Sequence, residues 1–583
     1  MSRSISWRRE VGLVLLLVGV AAVVRLPGVS TRSIWYDEAI SLLETAGHSV
    51  PTWPRSPAPA AVAKVNFAGT PALRDVKRDL REFDTHPPLY FLALTLWRQG
   101  LGFSLEISRW LSLLFSLASV VLFYLLVRVG GLEHPVGATL FYALATGAVH
   151  HGHEARPYAM AEALILLSCL AAIGSWRESS RRHGKALFGS ILMAVSAGAA
   201  FAIDYLSLFS LGVLLIWFLW AVWPRDRQVS VVGPALAIVA CSPVLPMLRV
   251  QLGSRGHQFS GSVGPFAEAA AMIRMNAQEV GIALSGSGSI SQELQETLST
   301  VVALAGIAAL VVLSRVWIRR QRREGAREFW VLIVALAVAP TLGVVLMDLA
   351  LDKRLHEARY LAFAVPALAV LLSHGVLSAA RSRQRWGMVL LVGLVSIQLA
   401  RVNWGFERCV RDQTGSISRG IVEIIEGVEV PSRLVAVAGG FGQGDPAVWA
   451  YELDAETPMM VFDSDSDPRV LLSYLSQAVD IWITFASDKA TLPVERELLQ
   501  TLQQTGEFIV VFRNRAAIHL IRGPQLQRAH GDIDDTALTG LDLLDRIAAA
   551  KLGSSANLSK FRFFRHHGAT DQPEGNPSQI PNG

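Results

Sequence analysis

The chain has 583 residues, of which 51% are hydrophobic and 17% are charged, and its mean hydropathy is +0.38. A soluble domain carries about 25% charged residues, so the composition excludes an ordinary soluble protein and indicates a membrane protein. The net charge of +5 could indicate nucleic-acid binding, but the basic residues follow the predicted membrane topology, which excludes it. Three cysteines, two of them inside apolar runs, exclude a disulfide framework and a cysteine-based metal site.

The first apolar run begins at Val11, after Arg3, Arg8 and Arg9. This pattern is also typical of a signal peptide, but no small-residue cleavage site follows, so we expect a retained signal-anchor helix. Ten further segments are long and apolar enough to span a bilayer. The eleven predicted spans are at about 11–27, 109–129, 135–151, 157–176, 186–203, 205–223, 229–249, 298–316, 328–349, 359–380 and 386–402.

A twelfth apolar segment, 86–102, decides the orientation of everything that follows it. It is short, opens on two prolines and contains Arg98. If it does not span, the arginine clusters around 177–185, 225–227 and 315–327 all face the cytoplasm, as the positive-inside rule requires. We therefore predict a polytopic α-helical protein with about eleven transmembrane helices, in which 86–102 is an interfacial helix on the outer leaflet.

The domain organisation follows from the spans and from a change in character after residue 402. We predict a transmembrane module at 1–402, with a long first outer loop at 28–108 and a second outer loop at 250–297 that is either a mobile lid or a plain connector. Short apolar segments alternate with helical patterns in 403–523, which predicts an α/β domain with a largely parallel sheet, facing outward. The polar tail at 524–583 is predicted to be disordered.

Two adjacent acids, Asp37 and Glu38, follow the first span in the string SIWYDEAIS. Helix-forming residues come next, so a short helix at the outer membrane surface is predicted. A carboxylate at that position could deprotonate an acceptor group as a general base. The alternative is that both acids simply complement the dipole at the start of a helix.

A second polar string, HGHEARPYAM at 151–160, lies between two predicted spans on the same outer side. Pro157 suits the first turn of the following helix, which places Arg156 at the helix mouth and Glu154 just before it. A helix N-terminus together with an arginine is a ready site for an anion such as phosphate. The alternative is a snorkelling arginine, with Tyr158 as an interface aromatic.

A similar string, RLHEARYLAF at 354–363, places Arg359 and Tyr360 at the start of another predicted span on that side. His86, in THPPLY, precedes two prolines that fix an extended entry into the interfacial helix. The polar clusters thus fall on one face of the membrane, which predicts that recognition or chemistry is concentrated there.

Taken together, W-x-D-E after the first span, H-P-P-L-Y, E-A-R-P-Y and a late A-R-Y resemble the membrane glycosyltransferases of the GT-C superfamily over roughly residues 10–400. The resemblance is nearest to the protein O-mannosyltransferase-like and aminoarabinose-transferase-like bacterial enzymes, of the glycosyltransferase family 39 type. It implies inverting transfer of a sugar from a polyprenyl-phosphate-linked donor to a protein, lipid or cell-envelope glycan on the outer face of a bacterial cytoplasmic (inner) membrane.

The resemblance also implies roles for the matching positions. Asp37 would be the catalytic base and Glu38 would assist in positioning. Arg156 and Arg359 would hold the lipid phosphate. The other substrate-binding residues would be His86, Glu154, Tyr158 and Tyr360. Some relatives use a divalent cation (Mg or Mn), for which Asp37, Glu154 and His153 are candidates, and others use none.

The rival prediction is a lipid or glycan transporter or flippase of the cell envelope. A transport path needs charged residues or broken helices near the middle of the bilayer, whereas the polar residues here cluster at the outer ends of the spans. A sensor is a third class, but no cytoplasmic output domain is recognisable. The sequence therefore favours the enzyme.

Overall fold

A computed structural model of the chain describes residues 7–254, 326–351, 363–382, 421–423, 425–427, 432–439, 444–484, 491–505, 507–513 and 517–522. The chain divides into two compact units. The first comprises Met1–Val50 and Asn66–Ser416, and the second comprises Pro51–Val65 and Ile417–Gly583.

Helices dominate the described residues. In chain order they are α1 Trp7–Thr31, α2 Tyr36–Ala46, α3 Ala60–Lys64, α4 Leu73–Phe83, α5 Leu89–Leu101, α6 Leu105–Val129, α7 Pro135–Ala143, α8 Thr146–His151, α9 Tyr158–Glu178, α10 His183–Phe201, α11 Ser207–Val222, α12 Arg227–Cys241, α13 Leu245–Ser254, α14 Ala326–Leu351, α15 Val365–Ser382, α16 Gly444–Glu452, α17 Pro468–Leu475 and α18 Leu492–Gln504. Short 3₁₀ turns lie at Val65–Phe67 and Ser242–Val244.

Six helices among the described residues are long and apolar enough to cross a membrane, which indicates an integral membrane protein. They are Trp7–Thr31, Leu105–Val129, Tyr158–Glu178, His183–Phe201, Arg227–Leu252 and Arg327–Val344. Two shorter apolar helices, Ser207–Val222 and Val365–His374, fall at other predicted spans. The predicted spans 298–316 and 386–402 lie outside the described residues, so the total of eleven stays a prediction.

The predicted span 135–151 is wrong as a single helix. α7 ends at Ala143, Leu144 and Ala145 leave the helical path, and α8 begins at Thr146. The buried side chain of Arg25, on α1, donates a hydrogen bond of 2.7 Å from Nη1 to the carbonyl oxygen of Ala143. This bond satisfies a carbonyl that loses its partner where a helix ends, so the break is stabilised from another helix.

The predicted interfacial segment forms α5, whose 13 residues span about 20 Å and are too short to cross ~30 Å of hydrocarbon. Arg98 is fully buried in this helix. Its guanidinium donates to the carbonyl oxygens of Leu42 at 2.7 Å and Phe67 at 2.5 Å, and also to the hydroxyl of Thr45. Arg98 therefore attaches α5 to the end of α2 by hydrogen bonds.

The second unit contains a six-stranded sheet in the order β1-β3-β2-β4-β6-β5. The strands are β1 Ala58–Pro59, β2 Arg433–Ala438, β3 Pro458–Phe462, β4 Asp480–Thr484, β5 Phe508–Arg513 and β6 Ala517–Arg522. β2 pairs in parallel with β3 and β4, but β6 pairs antiparallel with β4 and β5. The sheet is therefore mixed rather than largely parallel, because only three residues separate β5 from β6 and a parallel crossover needs about a dozen.

Residues 51–65 belong to the second unit, although the sequence places them in the first outer loop. β1 pairs antiparallel with β3, and the amide of Val461 donates to the carbonyl oxygen of Pro54 at 2.7 Å. An exposed ion pair joins Arg55 to Asp463 at 2.5 Å. The Pro-rich segment PTWPRSPAPA at 51–60 thus contributes the edge strand of the sheet.

Candidate active site

α2 places Asp37 and Glu38 in its first turn. The backbone of Trp35 is extended, and its carbonyl oxygen accepts the first helical hydrogen bond from the amide of Ala39. The helix ends at Gly47, whose φ of +81° is a left-handed conformation that favours glycine. The predicted short helix after the first span is confirmed, and its two acids point to different neighbours.

Glu38 is fully buried and paired with Arg109 on α6. Arg109 donates from Nε to Oε1 at 2.8 Å and from Nη2 to Oε2 at 2.7 Å. Oε1 also accepts the backbone amide of Ala155 at 2.9 Å. A bidentate pair with these bonds satisfies the carboxylate, so Glu38 joins α2 to α6 and to the turn before α9.

Arg109 is a site residue that the sequence analysis missed. Besides Glu38, its guanidinium donates to the carbonyl oxygens of Val29 at 3.0 Å, Arg32 at 2.8 Å and Ser33 at 2.8 Å. These bonds fix the end of α1 and the segment leading to α2. The available signal was an arginine at the first residue of the predicted span 109–129, which sequence reasoning alone assigns to snorkelling.

Arg156 contacts Asp37 directly, which brings together two residues predicted from separate motifs. Nη2 of Arg156 lies 3.6 Å from Oδ2 of Asp37, and Nη1 donates to the carbonyl oxygen of Asp37 and to the hydroxyl of Ser41, each at 3.1 Å. Burial disfavours the charge of Arg156, but the neighbouring acidic groups, Asp37 first, raise its pKa above the ordinary value. The side chain of Asp37 remains 14% exposed, whereas that of Arg156 is 3% exposed.

His86 contacts the same guanidinium, at the nitrogen that also faces Asp37. Its Nε2 is 2.9 Å from Nη2 of Arg156, and its Nδ1 is 2.9 Å from Oδ1 of Asp84. Burial alone would raise the pKa of Asp84, but the hydrogen bond with His86, the charge of Arg156 and the amide of Thr85 hold it well below its usual range. Asp84 is a second neighbour of the site that the sequence analysis did not select.

Glu154 is buried beside α8 rather than beside Asp37. Its Oε1 lies 2.7 Å from Nε2 of His150 and 3.9 Å from Nη2 of Arg32. Burial would raise the pKa of Glu154, but the charge and hydrogen bond of His150, with the charge of Arg32, hold it well below its ordinary value. Glu154 is therefore an ionised carboxylate held by basic neighbours.

The described residues do not fit the divalent cation that some relatives use. No group of three His, Cys, Asp or Glu side chains among them is placed to hold a metal ion. In particular, Asp37 lies against Arg156 while Glu154 lies against His150, so the structure does not bring Asp37, Glu154 and His153 together as ligands.

Tyr158 begins α9 and is buried beside Arg156. The guanidinium carbon of Arg156 is 6.0 Å from the centre of the Tyr158 ring, at the outer limit of a cation–π contact. On its other side the ring lies 5.0 Å from that of His151. Arg359, Tyr360, the tail 524–583 and almost all of the loop 250–297 lie outside the described residues.

Among known proteins, the chain matches solved structures but no family model or curated sequence. The chain is similar in structure to ArnT from Cupriavidus metallidurans bound to undecaprenyl phosphate, with 13% identity, 87% of this chain and 98% of that chain covered, and a TM-score of 0.47. It is also similar to the Archaeoglobus fulgidus oligosaccharyltransferase in its apo form, with 10% identity, 84% and 73% covered, and a TM-score of 0.44.

A third similar structure is the Saccharomyces cerevisiae protein O-mannosyltransferase Pmt1-Pmt2 complex bound to the sugar donor, with 16% identity, 44% of this chain and 36% of that chain covered, and a TM-score of 0.32. The enzymes in these structures are of the kind that the sequence motifs resemble. At these identities and TM-scores the likeness does not establish an activity, which is argued below from the chain's own residues.

Proposed function

We propose that the chain is a membrane glycosyltransferase that transfers a sugar from a polyprenyl-phosphate-linked donor to an acceptor on the outer face of the membrane. The observation that carries this proposal is the pairing of Asp37, partly exposed, with Arg156, buried 3.6 Å away at the start of a predicted membrane-spanning helix. A carboxylate that can take a proton and a cation that can stabilise a phosphate thus lie side by side, which is what the reaction needs.

In the proposed reaction Asp37 is the general base. Its carboxylate accepts the proton of the acceptor hydroxyl or amine while the acceptor atom attacks the anomeric carbon of the donor. The bond between that carbon and the phosphate oxygen breaks, and the bonding electrons leave with the polyprenyl phosphate. Direct attack would invert the configuration at the anomeric carbon.

Arg156 is proposed to stabilise the negative charge that develops on the departing phosphate. Its Nε is buried and has no hydrogen-bond partner in the part of the chain that the structure describes, so one donor remains for an anion while the Nη atoms hold Asp37, Ser41 and His86. The N-terminus of α9 adds partial positive charge at the same place. Arg359 is proposed as the second cation of this phosphate site, with Tyr360 beside it.

The remaining predicted residues are proposed to build the pocket. Glu38, through Arg109, fixes the first turn of α2 and so positions Asp37. Tyr158 and His86 shape the walls on either side of Arg156. Glu154 is proposed to line the same cavity.

The ArnT and Pmt1-Pmt2 structures named above hold undecaprenyl phosphate and a sugar donor, and a polyprenyl-phosphate ligand is the class that we propose here. The acceptor would be a protein, a lipid or a cell-envelope glycan. We place the site on the outer side of a bacterial inner membrane from the arginine distribution. The predicted topology is also the basis for proposing that the second unit faces outward, since its residues 51–65 fall in the predicted first outer loop.

A transporter is the weaker alternative. The structure does contain buried ionisable groups within predicted spans, among them Arg25 and Glu162. However, Arg25 donates to the hydroxyl of Ser116 at 2.8 Å, and Glu162 accepts from the hydroxyl of Tyr142 at 2.9 Å. Both groups are bonded within the helix bundle, as expected of groups that hold helices together.

One assay with two readouts separates these functions. The purified chain in proteoliposomes is given a panel of radiolabelled polyprenyl-phosphate sugars and a membrane extract as the source of acceptors. An enzyme produces labelled acceptor and unlabelled polyprenyl phosphate. A transporter instead moves intact labelled donor between leaflets, and that result without any transfer would overturn the proposal.

The predicted orientation has its own test. Ser180 and Lys77 are exposed and lie on opposite sides of the predicted membrane. In a background without the native cysteines, Lys77→Cys should react with an impermeant maleimide from outside intact cells, and Ser180→Cys only after lysis. Labelling of Ser180→Cys in intact cells would place the candidate site on the wrong side.

A further inference from the structure

Asp84 has no role in the proposed reaction, yet its carboxylate is only 12% exposed and lies at the centre of a turn beside the site. Oδ1 accepts the backbone amide of Thr85 at 2.5 Å and faces Nδ1 of His86 at 2.9 Å. The opposite nitrogen of His86 faces Nη2 of Arg156, which in turn faces Asp37. A continuous series of polar contacts therefore runs from Asp84 to the proposed base.

The contacts of the His86 ring determine where its proton lies. A guanidinium nitrogen can only donate, so the 2.9 Å contact with Nη2 of Arg156 requires a lone pair on Nε2 of His86. The neutral ring then carries its hydrogen on Nδ1, where it donates to the carboxylate of Asp84. A protonated ring would set an N–H of His86 against an N–H of Arg156 and would break the contact.

We propose that Asp84 and His86 are a positioning pair for sugar transfer: Asp84 selects the Nδ1–H tautomer of His86, and the lone pair on Nε2 then accepts from Nη2 of Arg156 and orients that nitrogen beside Asp37. The inference rests on the proposed function for its catalytic consequence but not for the geometry of the pair. His86 is a positioning residue, because it acts on the reacting atoms through Arg156.

The groups that surround His86 come from several elements. Asp84 lies in the same turn, Arg156 precedes α9, and Asp37 belongs to α2. From α13, Gln251 donates to the backbone carbonyl oxygen of His86 at 3.1 Å, and its side-chain oxygen accepts from the hydroxyl of Tyr205 at 2.8 Å. Asp84 faces one ring nitrogen and Arg156 donates to the other, so a hydrogen on the second nitrogen would replace a hydrogen bond with a repulsion at Arg156.

Nitrogen NMR of the whole chain, labelled with ¹⁵N-histidine in nanodiscs, tests the geometry without any substrate. The His86 signals are assigned by their loss in His86→Gln, with His134→Gln as the control because His134 is exposed. At neutral pH we expect a protonated Nδ1 and an unprotonated Nε2. A hydrogen on Nε2, or a charged ring, would overturn the positioning pair whatever the enzyme's substrate is.

Enzyme kinetics test whether the pair positions Arg156 beside Asp37 for the transfer step. Asp84→Ala should lower kcat by about 10- to 100-fold, the usual cost of a lost orienting contact, with the donor KM unchanged. Asp84→Asn keeps an oxygen acceptor for Nδ1–H and should recover most of the rate. Glu82→Ala, an exposed carboxylate on α4, is the matched control. Equal losses in Asp84→Ala and Asp84→Asn, or a change in KM alone, would contradict the pair.

Rescue by an amide gives a readout that a merely structural role would not change. His86→Gln offers an amide oxygen that can accept from Arg156, so it should keep most of kcat, whereas His86→Ala should lower kcat about as far as Asp84→Ala does. If the NMR shows the expected ring form but no donor supports transfer, then the proposed function fails while the positioning pair stands; if transfer occurs and His86→Ala keeps the wild-type kcat, the positioning role is excluded.

Discussion

Replacement of Arg109 by methionine removes the cation that holds Glu38. All five N–H donors of the guanidinium are used, two on the carboxylate of Glu38 and three on backbone carbonyl oxygens. The side chains of Arg109 and Glu38 are 1% and 0% exposed, so water cannot replace the lost bonds. Breaking a buried ion pair on one side costs about 3–5 kcal/mol, and the unpaired carbonyl groups add to that cost.

The expected result is a fall in the midpoint of thermal unfolding of about 6–10 °C, at the ~2 °C per kcal/mol of larger domains. The midpoint is measured in detergent by scanning fluorimetry at one fixed heating rate, because membrane proteins often unfold irreversibly. The control is Arg181→Met, since Arg181 is exposed.

The double variant Glu38→Gln with Arg109→Met tests whether the loss of stability comes from the unpaired charge of Glu38. It leaves neither charge of this pair, so its midpoint should be higher than that of Arg109→Met alone, with a coupling of about 1 kcal/mol or more between the two positions. If Arg109→Met unfolds at the wild-type temperature, or if the two substitutions are additive, the buried pair does not hold this part of the fold together.

Three further predictions concern the surroundings of the site. Glu154 has a pKa below its ordinary value in the folded protein, so ionised Glu154 stabilises the fold fully above the unfolded pKa of about 4.3. This stabilisation is lost as the pH falls below that value. The unfolding midpoint of Glu154→Gln should therefore fall less than that of wild type between about pH 5 and pH 3. Gly152→Ala should cost about 1–3 kcal/mol by overpacking, because the new Cβ would lie 2.9 Å from Oγ of Ser116. Arg98→Met should lower the midpoint by an amount equivalent to about 3 kcal/mol or more, because its buried carbonyl partners lose their donor.

The first two of these predictions have matched controls. Glu106→Gln replaces an exposed glutamate and should leave the acid loss unchanged. Gly174→Ala adds a Cβ with nothing within 4 Å, so the midpoint should not fall. A Gly152→Ala variant as stable as Gly174→Ala would mean that α1, α6 and the turn before α9 are not closely packed there.

Hydropathy and arginine bias were sufficient to predict several of the helices and the grouping of the site. Asp37 and Arg156 are 119 positions apart in the sequence, yet the topology already put both at outer helix ends, and the structure brings them into contact. The helix boundaries follow from local chemistry, as at Pro157 before α9 and Gly47 after α2.

The partners of buried charges could not be predicted, because each depends on a contact between distant segments. Arg109 contacts Glu38 across 71 positions, and Arg25 stabilises the break after Ala143 across 118 positions. An arginine near the end of an apolar run suggests snorkelling, and the sequence pattern is the same when the folded protein pairs that arginine with a buried carboxylate. The segment LATG at 144–147 carries no proline to signal a break.

In the mixed sheet, too, one strand pairing could be predicted from the local sequence and another could not. The sequence does contain the reason for the antiparallel pair β5 and β6, which is the three-residue connection between them. Nothing local predicts that Ala58 and Pro59 pair with a strand 400 positions later. Such an edge contact is made by backbone atoms, for which almost any side chain is suitable.

Single-turnover transfer by Asp37→Asn tests the central claim most directly. The purified variant and wild type are loaded with a labelled polyprenyl-phosphate sugar that the wild type uses, and donor binding is measured separately. We predict that Asp37→Asn binds the donor as wild type does and transfers about 10²- to 10⁴-fold more slowly, the contribution of a general base. Transfer at the wild-type rate by Asp37→Asn would contradict the account.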